Sequence, residues 1–304
     1  MRFSFWPNAG QDWSEILDVS RYAEQTGWDG VWIADHFMPM AGDLDVPMHE
    51  CWSVLAALAA SVPRVRLGAL VAGITYRSPA VLAKQAVTID HISDGRLVFG
   101  IGAGWQENEH AAYGIELGSI KERLDRFEEA CQIITELLGQ DRTTFAGSYY
   151  RITDAPLVPK AATGKLPVLI GGGGEKRTMR IAAQYADEWN VWGDPALLAA
   201  KGQVLDRHCE DLGRDPASIK RSANALLFLS EDEQWVSDRR SRDVGRAAII
   251  GTPAEVVDIV AGYEEAGVDE LIIPDFNLGR DPGRKRETMD LFMEQVVRVV
   301  APSA

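Results

Sequence analysis

The sequence predicts an α/β fold, a (β/α)8 TIM barrel with insertions after its fourth and seventh strands. Short strand-like runs alternate with amphipathic helical stretches along the whole 304-residue chain, as repeated βα units require. Eight such units occur in about the length that a barrel needs, and a doubly wound sheet seldom uses eight equal units. The same junction of helix, glycine and strand occurs near both ends of the chain, at Gly27 and Gly267. We therefore expect one continuous domain over residues 1–304.

The predicted strands are eight short apolar runs. They span residues 3–6, 30–34, 65–72, 97–101, 167–170, 188–192, 223–229 and 270–274. Helical stretches lie near residues 12–26, 50–61, 79–92, 119–139, 175–187, 195–212, 253–266 and 285–300. Local signals support several boundaries. Thr252-Pro253 followed by Glu255 is typical of a helix start, and Gly27 and Gly267 are typical helix ends.

Two segments exceed a minimal βα unit. They are residues 105–166, which include the aromatic-rich stretch 143–152, and the charged residues 230–248. We expect both to follow strand carboxyl ends, the face of a barrel that carries the active site. Each is therefore either a tolerated surface insertion or a lid.

Composition excludes several classes of function. Lys and Arg number 31 against 45 Asp and Glu, a net charge of −14, which disfavours binding to nucleic acid or an anionic membrane surface. The chain has no apolar run of membrane-spanning length and no signal-peptide pattern, so we expect a cytoplasmic protein. The three cysteines lack metal-ligand spacing, so no metal site is expected and the thiols should be reduced. They are Cys51, Cys131 and Cys209.

The sharpest local signal is a strand that runs into four consecutive glycines and then a helix. Gly171, Gly172, Gly173 and Gly174 are followed by Glu175, Lys176, Arg177 and Thr178. A glycine backbone lets an anion approach closely, and the free amides at a helix start favour negative charge. We predict a phosphate-binding turn, with a merely flexible turn as the alternative.

A second glycine cluster, Gly100 to Gly104, precedes Trp105. Its spacing departs from the dinucleotide-binding pattern, because the third glycine comes one residue too early. We interpret Gly102 as leaving room for a flat ring with Trp105 as a wall. The alternative is simple tight packing of the backbone.

Asp35 and His36 follow the second predicted strand and should emerge at the barrel rim. The neighbouring carboxylate of Asp35 could tune His36 for acid–base or hydrogen-bonding work. Glu50, Glu107 and Glu109 could be bases, but solvated carboxylates at helix starts explain them better.

With these residues the chain resembles the bacterial luciferase-like monooxygenase superfamily and, within it, the branch of F420-dependent oxidoreductases. The resemblance covers nearly the whole chain. It rests on residues 33–37, on 82–85 leading to Ser93-Asp94-Gly95-Arg96-Leu97, on 100–105 with Glu109 and Tyr113-Gly114, and on 171–174 with Arg177-Thr178 leading to residues 186–190.

This resemblance implies a deazaflavin or flavin at the carboxyl face of the barrel, and often a homodimer. It implies a non-prolyl cis peptide near Ala69, Leu70 and Val71, in a bulge that supports the cofactor ring. By the same comparison Gly172 to Thr178 resemble a phosphate-binding segment, and Asp35 and His36 resemble residues that contact the ring or transfer a proton. The chain departs from many relatives at Ser78, where a histidine or asparagine would precede the proline.

We therefore predict an oxidoreductase that moves a hydride between coenzyme F420 and a small organic substrate, with His36 as the proton donor or acceptor. One alternative is a two-component monooxygenase that uses FMN and O2. Another is a non-catalytic protein that binds flavin or F420. Because the tail of F420 is anionic, Lys176, Arg177 and Arg180 favour F420 over FMN.

Overall fold

In the computed structural model, which describes residues 1–279 and 281–301, eight parallel strands close into a barrel. We call these eight barrel strands staves, because one of them consists of two short strands. The predicted (β/α)8 fold is confirmed, while residues 280 and 302–304 of the predicted domain lie outside the described part. The staves are β1 (Arg2–Trp6), β2 (Gly30–Ile33), β3 with β4 (Arg66–Ala69 and Ala72–Gly73), β5 (Leu97–Gly102), β8 (Val168–Gly171), β9 (Glu188–Trp192), β10 (Lys220–Asn224) and β13 (Glu270–Pro274). β1 pairs with β13, and β3 pairs with β5 to close the ring.

Helices follow the staves and cover the outside of the barrel. They are α1 (Trp13–Gln25), α2 (Cys51–Ser61), α3 (Pro79–Ile92), α4 (Glu107–Ala112), α5 (Ile120–Gly139), α6 (Thr178–Tyr185), α7 (Pro195–Asp211), α8 (Glu233–Arg240), α9 (Pro253–Glu265) and α10 (Pro282–Phe292), which continues through a π-helical turn into α11 (Arg298–Val300). The predicted start at Thr252 is confirmed, because its amide donates to Glu255 at 2.8 Å. Gly27 and Gly267 end their helices at positive φ of +93° and +81°.

Two predicted strands are interrupted. The run 65–72 is split into β3 and β4 by a cis peptide bond between Leu70 and Val71, at the place that the family resemblance implied. The run 223–229 begins earlier, at Lys220, and breaks at Ala225. Its second half is β11 (Leu226–Leu229), which leaves the barrel and pairs with β12 (Ala248–Gly251), a strand that the sequence analysis missed.

The interval 105–166 divides into two unlike parts. Its first part, with α4, follows the carboxyl end of β5 as expected. The aromatic-rich stretch instead follows α5 and forms the antiparallel hairpin β6 (Arg142–Ala146) and β7 (Arg151–Pro156). Glu129 of α5 accepts hydrogen bonds from the turn amides of Ser148, Tyr149 and Tyr150. The segment 105–166 as a whole therefore follows a strand carboxyl end as predicted, while its aromatic-rich hairpin follows the helix α5.

Inward-facing side chains fill the barrel, and outward-facing ones pack under the helices. The interior cluster consists of Trp6, Trp32, Leu70, Val98, Leu169 and Ile272. Below it lies what we call the amino-end cluster, formed by Arg2, Arg66, Glu188 and Glu270. Each of these four is the first residue of its strand. The three cysteines are buried free thiols, and no helix within residues 1–279 and 281–301 combines the length and apolar character that crossing a bilayer requires.

Candidate active site

A cavity of about 720 Å³ opens among the carboxyl ends of the staves. Residues from several strand ends surround it, as is usual for catalytic barrels. They include Trp6, Asp35, His36, Leu70, Val71, Gly102, Trp105, Gly171, Gly172, Gly173, Thr178, Asn190, Trp192 and Arg246. The cavity therefore brings the segment after β2, the interrupted third stave and both glycine clusters together.

A buried carboxylate holds His36 in place. Glu109, on α4, lies 2.8 Å from His36 Nδ1 and accepts a hydrogen bond from the Phe37 amide at 2.8 Å. The hydroxyl of Tyr76 donates to the same carboxylate. Trp105 contacts the other side of the site, with its ring edge-to-face to His36 at 5.4 Å. Glu109 is fully buried, so the prediction that it is a solvated carboxylate was wrong.

The hydrogen bonds to Glu109 decide its charge. Burial opposes ionisation, but hydrogen bonds from His36, Tyr76 and the Phe37 amide outweigh it and hold the pKa of Glu109 below its ordinary value. Burial, reinforced by the contact with Glu109, raises the pKa of the Tyr76 phenol, which keeps it protonated. Because an ionised carboxylate only accepts hydrogen bonds, Nδ1 of His36 donates to Glu109. Nε2 bonds to no described residue and belongs to a ring that lines the cavity.

Asp35 forms a separate ion pair. Both of its oxygens accept hydrogen bonds from Arg77, at 2.6 and 3.0 Å, and Arg77 also contacts Glu50 at 2.5 Å. Burial raises the pKa of the Asp35 carboxyl, and the Arg77 contact opposes that rise. The expectation that Asp35 tunes His36 was therefore wrong, because Glu109 occupies that role. Asp35 fixes Arg77 below the cavity instead.

The glycines at the carboxyl end of β5 leave room for a neighbouring protein segment and not for a ligand. A Cβ on Gly100 would lie 1.9 Å from the carbonyl oxygen of Ala69, and one on Gly102 would lie 2.7 Å from Val71 Cγ2. A Cβ on Gly171 would also meet Val71, at 2.8 Å. These glycines let the bulge at Leu70–Val71 press between two staves. The tight-packing alternative therefore explains Gly100 and Gly102.

The glycines after β8 are used differently. Side chains bind the carbonyl oxygens of this turn: Trp189 Nε1 donates to Gly172 at 2.8 Å, and Lys201 Nζ donates to Gly173 at 2.8 Å. In a trans peptide the next amide points the opposite way. The amides of Gly173 and Gly174 are thus directed away from these side chains, and they donate no hydrogen bond within the described ranges 1–279 and 281–301. Such amides suit an anion.

The predicted site residues fall into two groups. Asp35, His36, Leu70, Val71, Gly102, Trp105, Gly171, Gly172, Gly173 and Thr178 line the cavity. Four others do not line it. Ala69 is buried in the core between the staves and helices, and Gly174 is next to Thr178 at the turn. Glu175 pairs with Lys201 at 2.8 Å, and Arg177 pairs with Asp125 at 2.8 Å.

The sequence analysis missed Tyr76 and Arg77 and set Glu109 aside as a solvated carboxylate, although all three complete the site. Glu109 and Tyr76 form the network around His36, and Arg77 binds Asp35. Their common signal was available: Tyr76 and Arg77 follow the third predicted strand, and Glu109 follows the fourth. Those are positions at the carboxyl face, where a buried charged residue is a candidate for function.

Known proteins share this fold and sequence. The family model described as luciferase-like monooxygenase matches residues 1–244. The chain is 34% identical to an F420-dependent glucose-6-phosphate dehydrogenase of Amycolatopsis mediterranei, over 93% of each protein. It is 28% identical to an F420-dependent hydroxymycolic acid dehydrogenase of Mycobacterium tuberculosis, over 88% of this chain and 73% of that one.

A solved structure supports the fold independently. An F420-dependent secondary alcohol dehydrogenase, in complex with an F420-acetone adduct, has a TM-score of 0.85 to this chain at 20% identity, over 98% of both chains. The family model covers most of the sequence, and the Amycolatopsis relative is similar over almost its entire length. The chain therefore belongs to the luciferase-like monooxygenase family.

Proposed function

We propose that this protein is an F420-dependent oxidoreductase that interconverts a small organic alcohol and its carbonyl form. The observation that carries the proposal is that one cavity is lined both by His36, held by buried Glu109, and by the turn of Gly171 to Gly173, where the amide of Gly173 and that of the adjoining Gly174 donate to no described residue. The first is a base oriented for proton transfer, and the second is a seat for an anionic group. Relatives named for F420-dependent dehydrogenation support the choice of cofactor.

The residues present fit F420. The amides of Gly173 and Gly174, with Thr178, would hold its phosphate, and the bulge at Leu70–Val71 would support its ring. A Cβ on Gly173 would lie 3.0 Å from Val191 Cγ2, so a side chain there would crowd the turn. When bound, F420 supplies a ring carbon that accepts or gives up a hydride.

His36 handles the proton in this proposal. When the alcohol is oxidised, its carbon loses a hydride and its hydroxyl loses a proton, which Nε2 of His36 accepts. The ionised Glu109 stabilises the resulting imidazolium through Nδ1. In the reverse direction, the imidazolium returns the proton to the carbonyl oxygen. Atoms and charge therefore balance with this one histidine as the proton carrier.

The test is His36→Ala, with F420 titration and turnover measured separately. We expect kcat to fall by about 10²-fold or more while the Kd for F420 changes little. His91→Ala is the matched control, because His91 is exposed and contacts the carbonyl oxygen of Lys160 on the outside of the barrel. Unchanged turnover in His36→Ala would remove His36 from the mechanism. Saturable FMN binding without F420 binding would instead favour a flavin monooxygenase.

We also propose that the protein is a cytoplasmic homodimer. An exposed apolar group on and beside α3 supports a contact between two copies. Val81 and Ile92 on α3 are 55% and 45% exposed, and Val158 is 68% exposed, while its carbonyl oxygen accepts a bond from Lys84 of α3. Light scattering on the wild type and on Val81→Glu tests this, with dissociation expected in the variant and a monomeric wild type contradicting the proposal.

A further inference from the structure

We infer that the substrate is a predominantly apolar alcohol or ketone and not a sugar phosphate. The inference rests on the proposed function and names the substrate class of the same cavity. Three properties of the cavity lining other than the glycine turn, which we call the wall, support it: its aromatic composition, its shortage of cations and the state of its amide side chains.

Aromatic and thioether side chains dominate this wall. Trp6 lies 5.9 Å from Trp192 and makes an edge-to-face contact with Phe276 at 5.0 Å. Met38, Met40 and Met48 line the same cavity. Methionines beside aromatic rings adapt to apolar ligands of varied shape. An apolar ligand can therefore make extensive van der Waals contact with the wall, which has few polar groups aimed at the cavity.

Part of this apolar surface faces water. Met40 is 54% exposed and Phe276 is 42% exposed at the cavity. Clustered exposed apolar side chains mark a binding surface. An apolar ligand that covered Phe276 and Met40 would remove this area from water, whereas a sugar phosphate would add polar groups that the wall cannot satisfy.

The wall has too little positive charge for a phosphate dianion. Among the cavity-lining residues that the structure describes, Arg246 is the one Lys or Arg, and its guanidinium lies over the Trp192 ring at 4.9 Å. Two nearby cations are already neutralised: Arg77 by Asp35, and the buried Lys285 by Asp275 at 2.6 Å. A phosphate would face a single exposed arginine, where several cations or amides are usual.

Three of the four amide side chains that line the cavity have donors engaged with other protein groups, with Asn8 as the exception. Asn190 and Asn224 form a reciprocal pair, with Nδ2 to Oδ1 distances of 3.1 and 2.9 Å. Asn190 Nδ2 additionally donates to Ser222 at 2.9 Å. Gln106 donates to the carbonyl oxygen of Met38 at 2.9 Å. Sugar hydroxyls would have to break these bonds to be satisfied, which costs binding energy.

The experiment compares 1-phenylethanol with glucose 6-phosphate on the full chain. Calorimetric titration measures binding to the protein alone and with F420, and loss of F420 absorbance measures turnover. We expect 1-phenylethanol to bind saturably and at least about tenfold more tightly than glucose 6-phosphate. We also expect the protein to reduce F420 with 1-phenylethanol and not with glucose 6-phosphate. Phe276→Ser should weaken 1-phenylethanol binding about tenfold, while Tyr149→Ser, on the remote hairpin, should not change it.

The outcomes separate the two proposals. Binding and oxidation of glucose 6-phosphate in preference to 1-phenylethanol would overturn the substrate inference and leave the F420 assignment intact. Saturable binding of 1-phenylethanol by a protein that does not bind F420 would overturn the cofactor assignment and support the apolar site. An unchanged affinity in Phe276→Ser would overturn the inference for this wall. Failure of both compounds to bind would overturn it outright.

Discussion

The two ends of the barrel use buried charge in opposite ways. At the amino end, two arginines face two glutamates in the amino-end cluster, and Glu270 also accepts hydrogen bonds from Ser4 at 2.6 Å and Trp32 at 2.9 Å. At the carboxyl end, the ionised Glu109 fixes one nitrogen of His36, and the other nitrogen lies on a ring that lines the cavity. Removing one partner from a buried cluster of paired charges destabilises the fold, whereas charge that leaves one partner open is available for chemistry.

The largest effect on stability should come from the amino end. Glu270→Ala removes the carboxylate that pairs with Arg66 and with Arg2, whose Nη2 lies 3.2 Å away. Of the two glutamates in the cluster, Arg66 and Arg2 then keep Glu188, at 2.5 and 4.0 Å. Because half of the buried negative charge is lost, we expect the free energy of unfolding to fall by about 3 kcal/mol. Urea denaturation measures the change. F420 affinity of the folded protein should stay the same.

Glu264→Ala is the matched control for that variant. Glu264 pairs with the terminal amine at 3.6 Å and its side chain is 57% exposed, so its loss should change stability by less than about 0.5 kcal/mol. If both variants lost equally little stability, the result would contradict a contribution of the amino-end cluster to the stability of the fold.

A smaller effect, on turnover and not on stability, should come from a change at the carboxyl end of the barrel. Glu109→Gln keeps the side-chain shape but removes the negative charge that stabilises a protonated His36. We expect kcat to fall by about 10²-fold, with the Kd for F420 nearly unchanged. The neighbouring Glu107→Gln, on the exposed face of α4, is the control and should keep wild-type turnover. Equal activity in both variants would contradict a role for Glu109.

The contacts of Glu109 also predict how the stability of the protein depends on pH. Its pKa is lowered in the folded protein, so the ionised form is favoured by folding. The stabilisation is fully present above the ordinary carboxyl pKa of 4.5 and is lost as the pH falls through the folded value. We therefore expect the wild type to lose more stability than Glu109→Gln on acidification below that range, measured by urea titration at several pH values.

The sequence predicted the barrel and the rim, but not the contacts within the site. Periodicity and glycine junctions located all eight staves, because each βα unit carries its own local signal. The partner of His36 was not local: Glu109 is 73 residues away along the chain, and nothing in the pattern around Asp35-His36 distinguishes it from Glu107. Side-chain pairing across a barrel mouth depends on stave order and register, which a local pattern does not contain.

The two glycine clusters show the same limit. In sequence both follow a strand and both suggest a ligand. In the structure, Gly100 and Gly102 accommodate the bulge of the neighbouring stave, while Gly173 and Gly174 present amides that donate to no described residue. The two glycine clusters differ in the protein segment that packs against each of them, and that segment is distant in sequence.

The smallest of these effects should come from the turn of Gly171 to Gly174, which we predict to bind a phosphate. Lys201 donates to the carbonyl oxygen of Gly173 and to Glu175, both at 2.8 Å, and so fixes the peptide whose amide belongs to Gly174. Lys201→Met keeps the bulk of the side chain but releases that peptide, so we expect F420 to bind about tenfold more weakly, with kcat at saturation unchanged. Lys121→Met is the control, because Lys121 is 82% exposed and pairs with Asp125 of its own helix, away from the glycine turn. A drop in kcat without a change in Kd would mean that the turn orients the reaction and does not hold the cofactor.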